Sequence, residues 1–367
     1  MTRPVTRDVL LLRPEELQGL VSMKEAIDII ERGYREALSY PAIAAPRRRV
    51  HSPGGVRVSN FPGGVHSLGV IGTGERPDKL NKGGENQTKA FRGYPVHLVH
   101  DSNTGQLLSI MIGEVDEKTL GYTSVMALRT AATSGVGFRY LPRKGISTAG
   151  LFGSAGQAAN QLLALLTERP SIKRVKIYSR DPDNRRNFAR KYAQKFDVEI
   201  VPVSTPEEVV VGADVVHCAT NTSVPLFDGD LLEPGQHVTG IVGSNVQLVK
   251  SGYRSSRRRE IDDRTAERAD LLVCNLRETI LTEEPGDLFE PIEKGLIALE
   301  DIVELGELGT ETCPGRTSDE QITYHKNTNG NGVADLGIAM RAYELARADG
   351  RGTWIKFPDP EDLPQAL

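Results

Sequence analysis

Apolar residues recur at helical spacing in several long stretches of this chain. Met23, Ala26, Ile27, Ile30, Tyr34, Ala37 and Leu38 form one stripe, opened by Ser22 as an N-cap with Glu25 three residues on as a capping box. Val333, Leu336, Met340, Tyr343 and Ala346 form another, predicting a helix over residues 331–348 that Gly350 ends. Two shorter stripes, Ala158-Leu162-Leu163-Leu166 and Phe188-Ala189-Tyr192-Ala193, predict helices over 157–167 and 183–196. A helix rich in small residues leads from about 121 to 140.

The remaining apolar runs are short and read as strands. Residues 9–12, 47–50, 94–100 and 106–113 are predicted strands, the last two joined by a hairpin turn at Asp101-Ser102-Asn103-Thr104-Gly105. From residue 146 the rhythm changes. Strands at 146–152, 173–179, 198–202, 214–219, 237–241 and 271–275 alternate with helices, the pattern of an α/β protein with a doubly wound parallel sheet of Rossmann type. A final strand is predicted at 321–326, after a turn at 315–320. Residues 72–92 are polar, glycine-rich and without period, and read as a long loop.

Composition narrows the class. With 367 residues the chain is long enough for two domains, and a net charge of −4 gives no reason to expect nucleic acid. No apolar run approaches the ~20 residues of a membrane span, and the first seventeen residues lack the apolar core of a signal peptide. A cytoplasmic protein is expected. Cys218, Cys274 and Cys313 are odd in number and form no C-x-x-C pair, so neither a disulfide framework nor a metal site is expected, and buried structural thiols are.

The chemistry centres on Gly153-Ser154-Ala155-Gly156-Gln157, a small-residue turn between a predicted strand and helix. Such a turn lets a phosphate approach the backbone and sit on the free N–H groups at the start of the helix. The spacing is not the full dinucleotide fingerprint, since Ala155 stands at the second glycine and Ala158 near the third. The next strand ends in Tyr178-Ser179-Arg180 where an acidic residue would receive the adenosine ribose. A small hydroxyl followed by a guanidinium is suited to a 2′-phosphate, with Arg185 and Arg186 as further candidates, so NADP(H) is the expected cofactor. In the strand after Ala44-Ala45-Pro46, Arg47 and Arg49 share a face and Arg48 takes the other. An arginine turned inward needs an anion, and a substrate carboxylate or a structural Asp or Glu would serve.

Four motifs together resemble the ornithine cyclodeaminase/mu-crystallin family over most of the chain. They are Leu128-Arg129-Thr130-Ala131-Ala132, the glycine turn, Gly240-Ile241-Val242-Gly243-Ser244-Asn245, and Gly315-Arg316-Thr317-Ser318-Asp319-Glu320 with the helix behind it. The resemblance implies a Rossmann domain over residues 131–315 inserted into an α+β substrate-binding and dimerisation domain built from 1–130 and 316–367, which forms a homodimer. It implies that Arg129 holds the cofactor or the substrate carboxylate, with Thr130 beside it, and that Gly156 and Gln157 contact the pyrophosphate. One of Arg47 to Arg49 would be the carboxylate-binding arginine. Thr220, Ile241 and Val242 would line the nicotinamide ribose, and Thr328 with Asn329 would close the pocket.

The chain departs from the family's pattern at two places. Ile71 stands where the family has a substrate-binding lysine, and Asn245 where it has an acid/base aspartate. An asparagine orients a substrate but cannot exchange a proton at working pH. Lys82 and Lys89, with Lys79, Arg92 and His66 near them, are candidates to compensate. The expected function is an NADP(H)-dependent oxidoreductase acting on a C–N bond of a small carboxylate-bearing amino or imino acid, of the imine reductase or amino-acid dehydrogenase type. An ornithine cyclodeaminase-like ammonia lyase with bound NAD(P) and a catalytically silent NADPH-binding protein are the alternatives.

Overall fold

The structure, a computed structural model, describes residues 8–80, 89–113, 124–243, 246–328 and 330–357. Two eight-stranded sheets organise them. The first runs in the order Thr353–Ile355, Val9–Leu12, Leu107–Ile112, Val96–Asp101, Val70–Leu80, Val56–Val65 and Arg48–His51, with Lys89–Arg92 added beside Val70–Leu80. Only the pairing of Val9–Leu12 with Leu107–Ile112 is parallel.

The second sheet is parallel throughout. Its order is Glu199–Pro202, Arg174–Tyr178, Thr148–Phe152, Val215–Cys218, His237–Gly240, Thr323–Lys326, Leu271–Cys274 and Val303–Glu304. The first five strands, numbered along the chain, read 3-2-1-4-5, the Rossmann order. The fold is therefore the α/β, Rossmann-type class expected from the alternating pattern.

Two details of the expected domain limits differ from the structure. The strand Thr323–Lys326, assigned to the unit built from the chain ends, lies inside the parallel sheet, where all four residues are buried. Burial on both faces is what the interior of a parallel sheet demands. The limit set between residues 130 and 131 falls inside one uninterrupted helix, Val125–Tyr140. That helix is packed on all sides. Its glycines make the contacts possible: a Cβ on Gly135 would lie 2.5 Å from Ile27 and one on Gly137 2.4 Å from His325.

The stretch read as a loop over 72–92 is another correction. Val70–Leu80 is an eleven-residue strand paired with Val56–Val65 from Val70 to Lys79. It lacked an apolar period because its inward face carries Gly72, Gly74, Arg76 and Asp78. A Cβ on Gly74 would meet the His97 ring at 2.8 Å. Residues 81–88 lie outside the described residues.

Other expectations hold. Asp101 closes the hairpin by accepting from Asn103 N and Thr104 N at 2.8 and 3.0 Å, and Gly105 takes φ 74°. Ser22 caps the helix Met23–Ser39 by accepting from Glu25 N. The Glu25 carboxylate does not return the bond of a capping box but pairs with Arg341 on the last helix, Gly332–Ala348, at 2.6 Å.

These helices cover one face of the first sheet. On the other face Leu11, Ile110, Leu98, Thr73 and Pro62 stand in one cross-strand row. Val50 and Val58 form a pair on the same side, and Ile71 is 47% exposed there. Ile71 thus points away from the helices, and no helix among the described residues is long and apolar enough to cross a membrane.

Candidate functional site

A cavity of about 490 Å³ opens at the carboxyl edge of the parallel sheet, between Thr148–Phe152 and Val215–Cys218, where the strand order reverses. Ligands of doubly wound sheets bind at that switch point. Gly153, Ser154, Ala155, Gly156 and Gln157 form one wall, as expected. Gly153 adopts φ 109°, and a Cβ there would lie 2.3 Å from Ala219 O, so only glycine lets the turn come this close to the next strand. The helix Gly156–Glu168 starts at Ala155, which gives no side-chain cap. The first turn of an α-helix has N–H groups with no carbonyl partner inside the helix, which suit an anion such as a pyrophosphate, and the residues present fit a dinucleotide.

The second strand end brings Ser179 and Arg180 into the same cavity, with the Arg180 side chain exposed. Arg185 does not line it. Its guanidinium donates to Ser179 O at 2.7 Å and lies over the Tyr178 ring, so it braces the turn from behind. Arg186 pairs with Asp183. Asp181, which the sequence reading passed over, also lines the cavity, with one oxygen used to cap the helix Pro182–Phe196. Arg92 reaches the cavity from the first sheet.

The third wall includes Thr220, whose position depends on a residue the sequence reading missed. Glu260 is fully buried and its carboxylate accepts four hydrogen bonds. Thr220 N and Oγ1 donate to Oε1 at 2.6 and 2.7 Å, while Ile241 N and Val242 N donate to Oε2 at 2.8 and 2.7 Å. Two strand ends are tied to one side chain. Asp287 in turn accepts from Glu260 N and Ile261 N at 2.6 and 2.8 Å and pairs with the buried Lys326, which donates to Val242 O at 2.9 Å. Burial pushes the Glu260 carboxyl above its ordinary pKa, and Lys326 opposes this. Ile241 and Val242 are buried and do not line the cavity, so their N–H groups serve the frame. The signal was weak because Arg257-Arg258-Arg259-Glu260 reads as a solvated charge run.

Arg47 and Arg49 do share an inward face, and their partner is Glu283, with Arg47 Nε 3.2 Å from it and Arg49 in direct ion pair. Burial opposes the Glu283 charge, but Arg47 and Arg49 hold its pKa below the usual carboxylate range. The structural partner left open by the sequence is therefore present. Arg47 also faces the loop after the strand His237–Gly240: a Cβ on Gly243 would be 3.8 Å from its guanidinium, and one on Gly330 2.9 Å. The same Gly330 position touches Phe61.

Arg129 lies 5.5 Å above the Phe61 ring and donates to Asp335 at 2.8 Å. Asp335 also faces His97 at 3.5 Å. Burial works against Asp335, and Arg129 keeps its pKa low. Arg129 thus joins Arg47 and Phe61 and is absent from the cavity wall. Thr130 is buried, with its hydroxyl on Met126 O and its carbonyl accepting from Gln161 and Asn327, so it too is set back from the cavity. Thr328 is buried, and its hydroxyl has no partner among the described residues.

Asn245, Lys82 and Asn329 lie outside the described residues, and Lys89 opens a strand with its side chain outside them. Lys79 donates to Gly54 O at the far end of its strand. Cys218 and Cys274 are buried and Cys313 half-buried. Among the described residues no group of His, Cys, Asp and Glu is arranged to hold a metal ion.

The model of the ornithine cyclodeaminase/mu-crystallin family matches residues 10–350. A Delta(1)-pyrroline-2-carboxylate reductase of Bacillus cereus is 28% identical over 95% of this chain and the whole of its own length. The structure of Thermococcus litoralis Delta(1)-pyrroline-2-carboxylate reductase in complex with NADH and L-proline superposes with a TM-score of 0.79 at 27% identity, covering 94% of this chain and 99% of that one. An archaeal alanine dehydrogenase dimer with bound NAD gives 0.77 at 25% identity, over 95% of this chain and 99% of its own.

Glu260 provides the test of this frame. Glu260→Gln turns an NH₂ group toward backbone donors that need an acceptor, at a cost of about 1–3 kcal/mol for a buried group left unsatisfied. Urea unfolding is expected to show that loss, with weaker binding of nicotinamide nucleotide. An unchanged midpoint would mean that the strand ends do not depend on this carboxylate.

Proposed function

The chain belongs to the ornithine cyclodeaminase/mu-crystallin family, and from that premise we propose that it is an NADP(H)-dependent reductase of imines formed from small carboxylate-bearing compounds. The observation that carries the reading is the approach of Arg47 to Gly243, at the carboxyl edge where a nucleotide lies in a doubly wound sheet. In this reading Arg47 is the anion-binding side chain beside the nicotinamide end of a dinucleotide site. Relatives named as pyrroline-2-carboxylate reductases support imine chemistry.

A bound nicotinamide supplies hydride to the carbon of a C=N bond. In this reading Arg47, braced by Glu283, pairs with the substrate carboxylate. Arg129 adds positive charge, held by Asp335 over Phe61. The Thr328 hydroxyl is available to a substrate polar group, with Asn329 beside it in sequence. The turn from Gly153 to Gln157 cradles the pyrophosphate. Asn245 orients the substrate nitrogen and leaves protonation to the iminium itself, which arrives with its proton. Lys82 and Lys89 remain candidates for the general acid.

Cofactor choice rests on Ser179 and Arg180. A charge-assisted contact to a 2′-phosphate is worth roughly 1.5–3 kcal/mol, so NADP(H) is expected to bind about ten- to a hundredfold more tightly than NAD(H). Arg180→Ala should erase the difference in a fluorescence titration. Asp181 in the same wall favours the ribose hydroxyls of NAD(H) instead, and equal affinities in the unaltered protein would give it the decision.

Reaction type follows from Asn245. Loss of a general acid/base costs typically 10²–10⁴-fold in rate, so reduction of a preformed imine should exceed ornithine cyclodeamination. Asn245→Asp should shift the pH profile of the activity. Absorbance at the nicotinamide band separates the readings: net oxidation of NADPH marks a reductase, product without net oxidation a cyclodeaminase, and binding alone a silent protein.

We also assign pairing of two copies to the outer face of the first sheet, where Leu11, Ile110, Leu98 and Ile71 leave an apolar surface. Light scattering at micromolar concentration should give a dimer, and Leu98→Asp a monomer. A monomeric unaltered protein would refute the assignment.

A further inference from the structure

One cross-strand row on the inward face of the first sheet runs from Phe61 through Gly74 and His97 to Met111, each residue paired with the next. Gly74 has no side chain, and the His97 imidazole lies over the space this leaves. A Cβ on Gly74 would stand 2.8 Å from both Cδ2 and Nε2 of that ring and 3.4 Å from the Met126 methyl group. The Nε2 edge of His97 is therefore turned along the row toward Phe61. Arg129 lies above the Phe61 ring, and Gly330, which faces Arg47, packs against it.

His97 is 1% exposed, and its Nε2 has no hydrogen-bond partner among the described residues. Asp335 Oδ2, Asn331 Oδ1 and Thr328 Oγ1 are buried and equally without partners there. These atoms belong to one neighbourhood, since Asp335 holds Arg129, and Thr328 and Asn331 flank Gly330 in the chain. Buried polar atoms are almost always satisfied in native proteins, and exceptions gathered in one place mark where water or a ligand is held. Each helix packed on His97 contributes to its surroundings. Asp335, on Gly332–Ala348, is 3.5 Å from Nε2, and Arg129, on Val125–Tyr140, donates to the same carboxylate oxygen. Tyr34, on Met23–Ser39, accepts from Asn331 and is close enough to feel the charges of both Arg129 and Asp335. The flanking strands present Gly74 and Met111, which do not titrate.

We propose that His97 exchanges the proton with the substrate nitrogen, taking the part that Asn245 cannot. The inference rests on the reading of this chain as an imine reductase and names the acid of that reaction. His97 Nε2–H gives its proton to the substrate nitrogen as the C=N π bond opens toward nitrogen and a hydride from the bound nicotinamide closes the new C–H bond. The products are the amine, the oxidised nucleotide and neutral imidazole, to which solvent returns the proton. An imine that arrives as an iminium already carries this proton, and one that arrives neutral takes it from His97. Imidazole is the side chain suited to such exchange near neutral pH, whereas an amide is not.

Two substrates separate this role from a structural one. Δ1-Pyrroline-2-carboxylate needs a proton at nitrogen, while its N-methyl iminium carries a permanent charge and needs none. His97→Gln keeps an amide near the position of Nε2 without a proton to exchange, and His97→Asn takes its place if that variant does not fold. Reduction of both compounds by NADPH is followed across about pH 6 to 9, the range around the ordinary pKa of imidazole. The rate for the iminium divided by that for the imine should rise about tenfold or more in the variant at the alkaline end. The rise should shrink toward the acid end, where the imine arrives protonated. An unchanged ratio would overturn the role and leave the step to Lys82 or Lys89. If the unaltered protein reduces neither compound, the imine-reductase reading fails and the inference falls with it.

A second measurement needs no turnover. In protein carrying isotope-labelled histidine, the His97 ring signal is the one missing from the variant. It should move when L-proline is added to the complex with NADP⁺, because the amine nitrogen then lies beside Nε2. A signal unmoved at any concentration of L-proline would overturn the contact.

Discussion

The carboxylate of Glu260 sets the distance between two strand ends on which the cofactor site depends. Backbone N–H groups at the carboxyl edge of a parallel sheet have left the ladder and need acceptors. Thr220 and Val242 find theirs in the two oxygens of one buried side chain, and Ile241 N–H shares its bond between that carboxylate and Cys218 O. A buried charge of this kind persists only with its own support, which Asp287 and Lys326 provide from the two other sides. The arrangement explains why residues expected to meet the nicotinamide ribose are occupied with the frame. They shape the wall by where their backbone is held.

Much of the fold was legible because most elements keep one period. Helices such as Met23–Ser39 bury a single stripe, and the strands from Thr148–Phe152 onward are short, apolar and punctuated. The strand Val70–Leu80 was not legible, since the interior it faces is itself charged and a strand serving it has no apolar alternation. Gly74, read as a loop residue, admits the His97 ring, and Gly72 admits the close approach of Leu98 O and the Leu336 side chain. The placement of Thr323–Lys326 in the parallel sheet could not be read either. Four residues carry no register, and what seats them between His237–Gly240 and Leu271–Cys274 is a pairing across fifty to ninety positions of sequence.

The site divides in the same way. The glycine turn and Ser179-Arg180 were readable because their chemistry is local: a backbone that must turn tightly, and side chains one residue past a strand. The partners of Arg47, Arg49 and Arg129 were not. Glu283 and Asp335 lie more than two hundred residues from the arginines they serve. The sequence could say that an inward arginine needs an anion, and only the fold could say which. Ile71 is a different lesson, because its strand turns it to the outer face while Gly72 and Gly74 face the helices.

The cavity is rimmed by Arg92 and Arg180 in a chain whose overall charge is −4. The two arginines outnumber Asp181 on the same wall, so the recess carries net positive charge while the molecule as a whole repels anions. A low-dielectric cleft concentrates field lines from the charges at its mouth, so the local potential differs in sign from the distant one. An anionic nucleotide meets a repulsive far field and an attractive near field, with the Debye length of about 8 Å at physiological ionic strength setting where one gives way to the other. Capture is therefore governed by the short-range field, and added salt relieves the outer repulsion before it weakens the inner attraction.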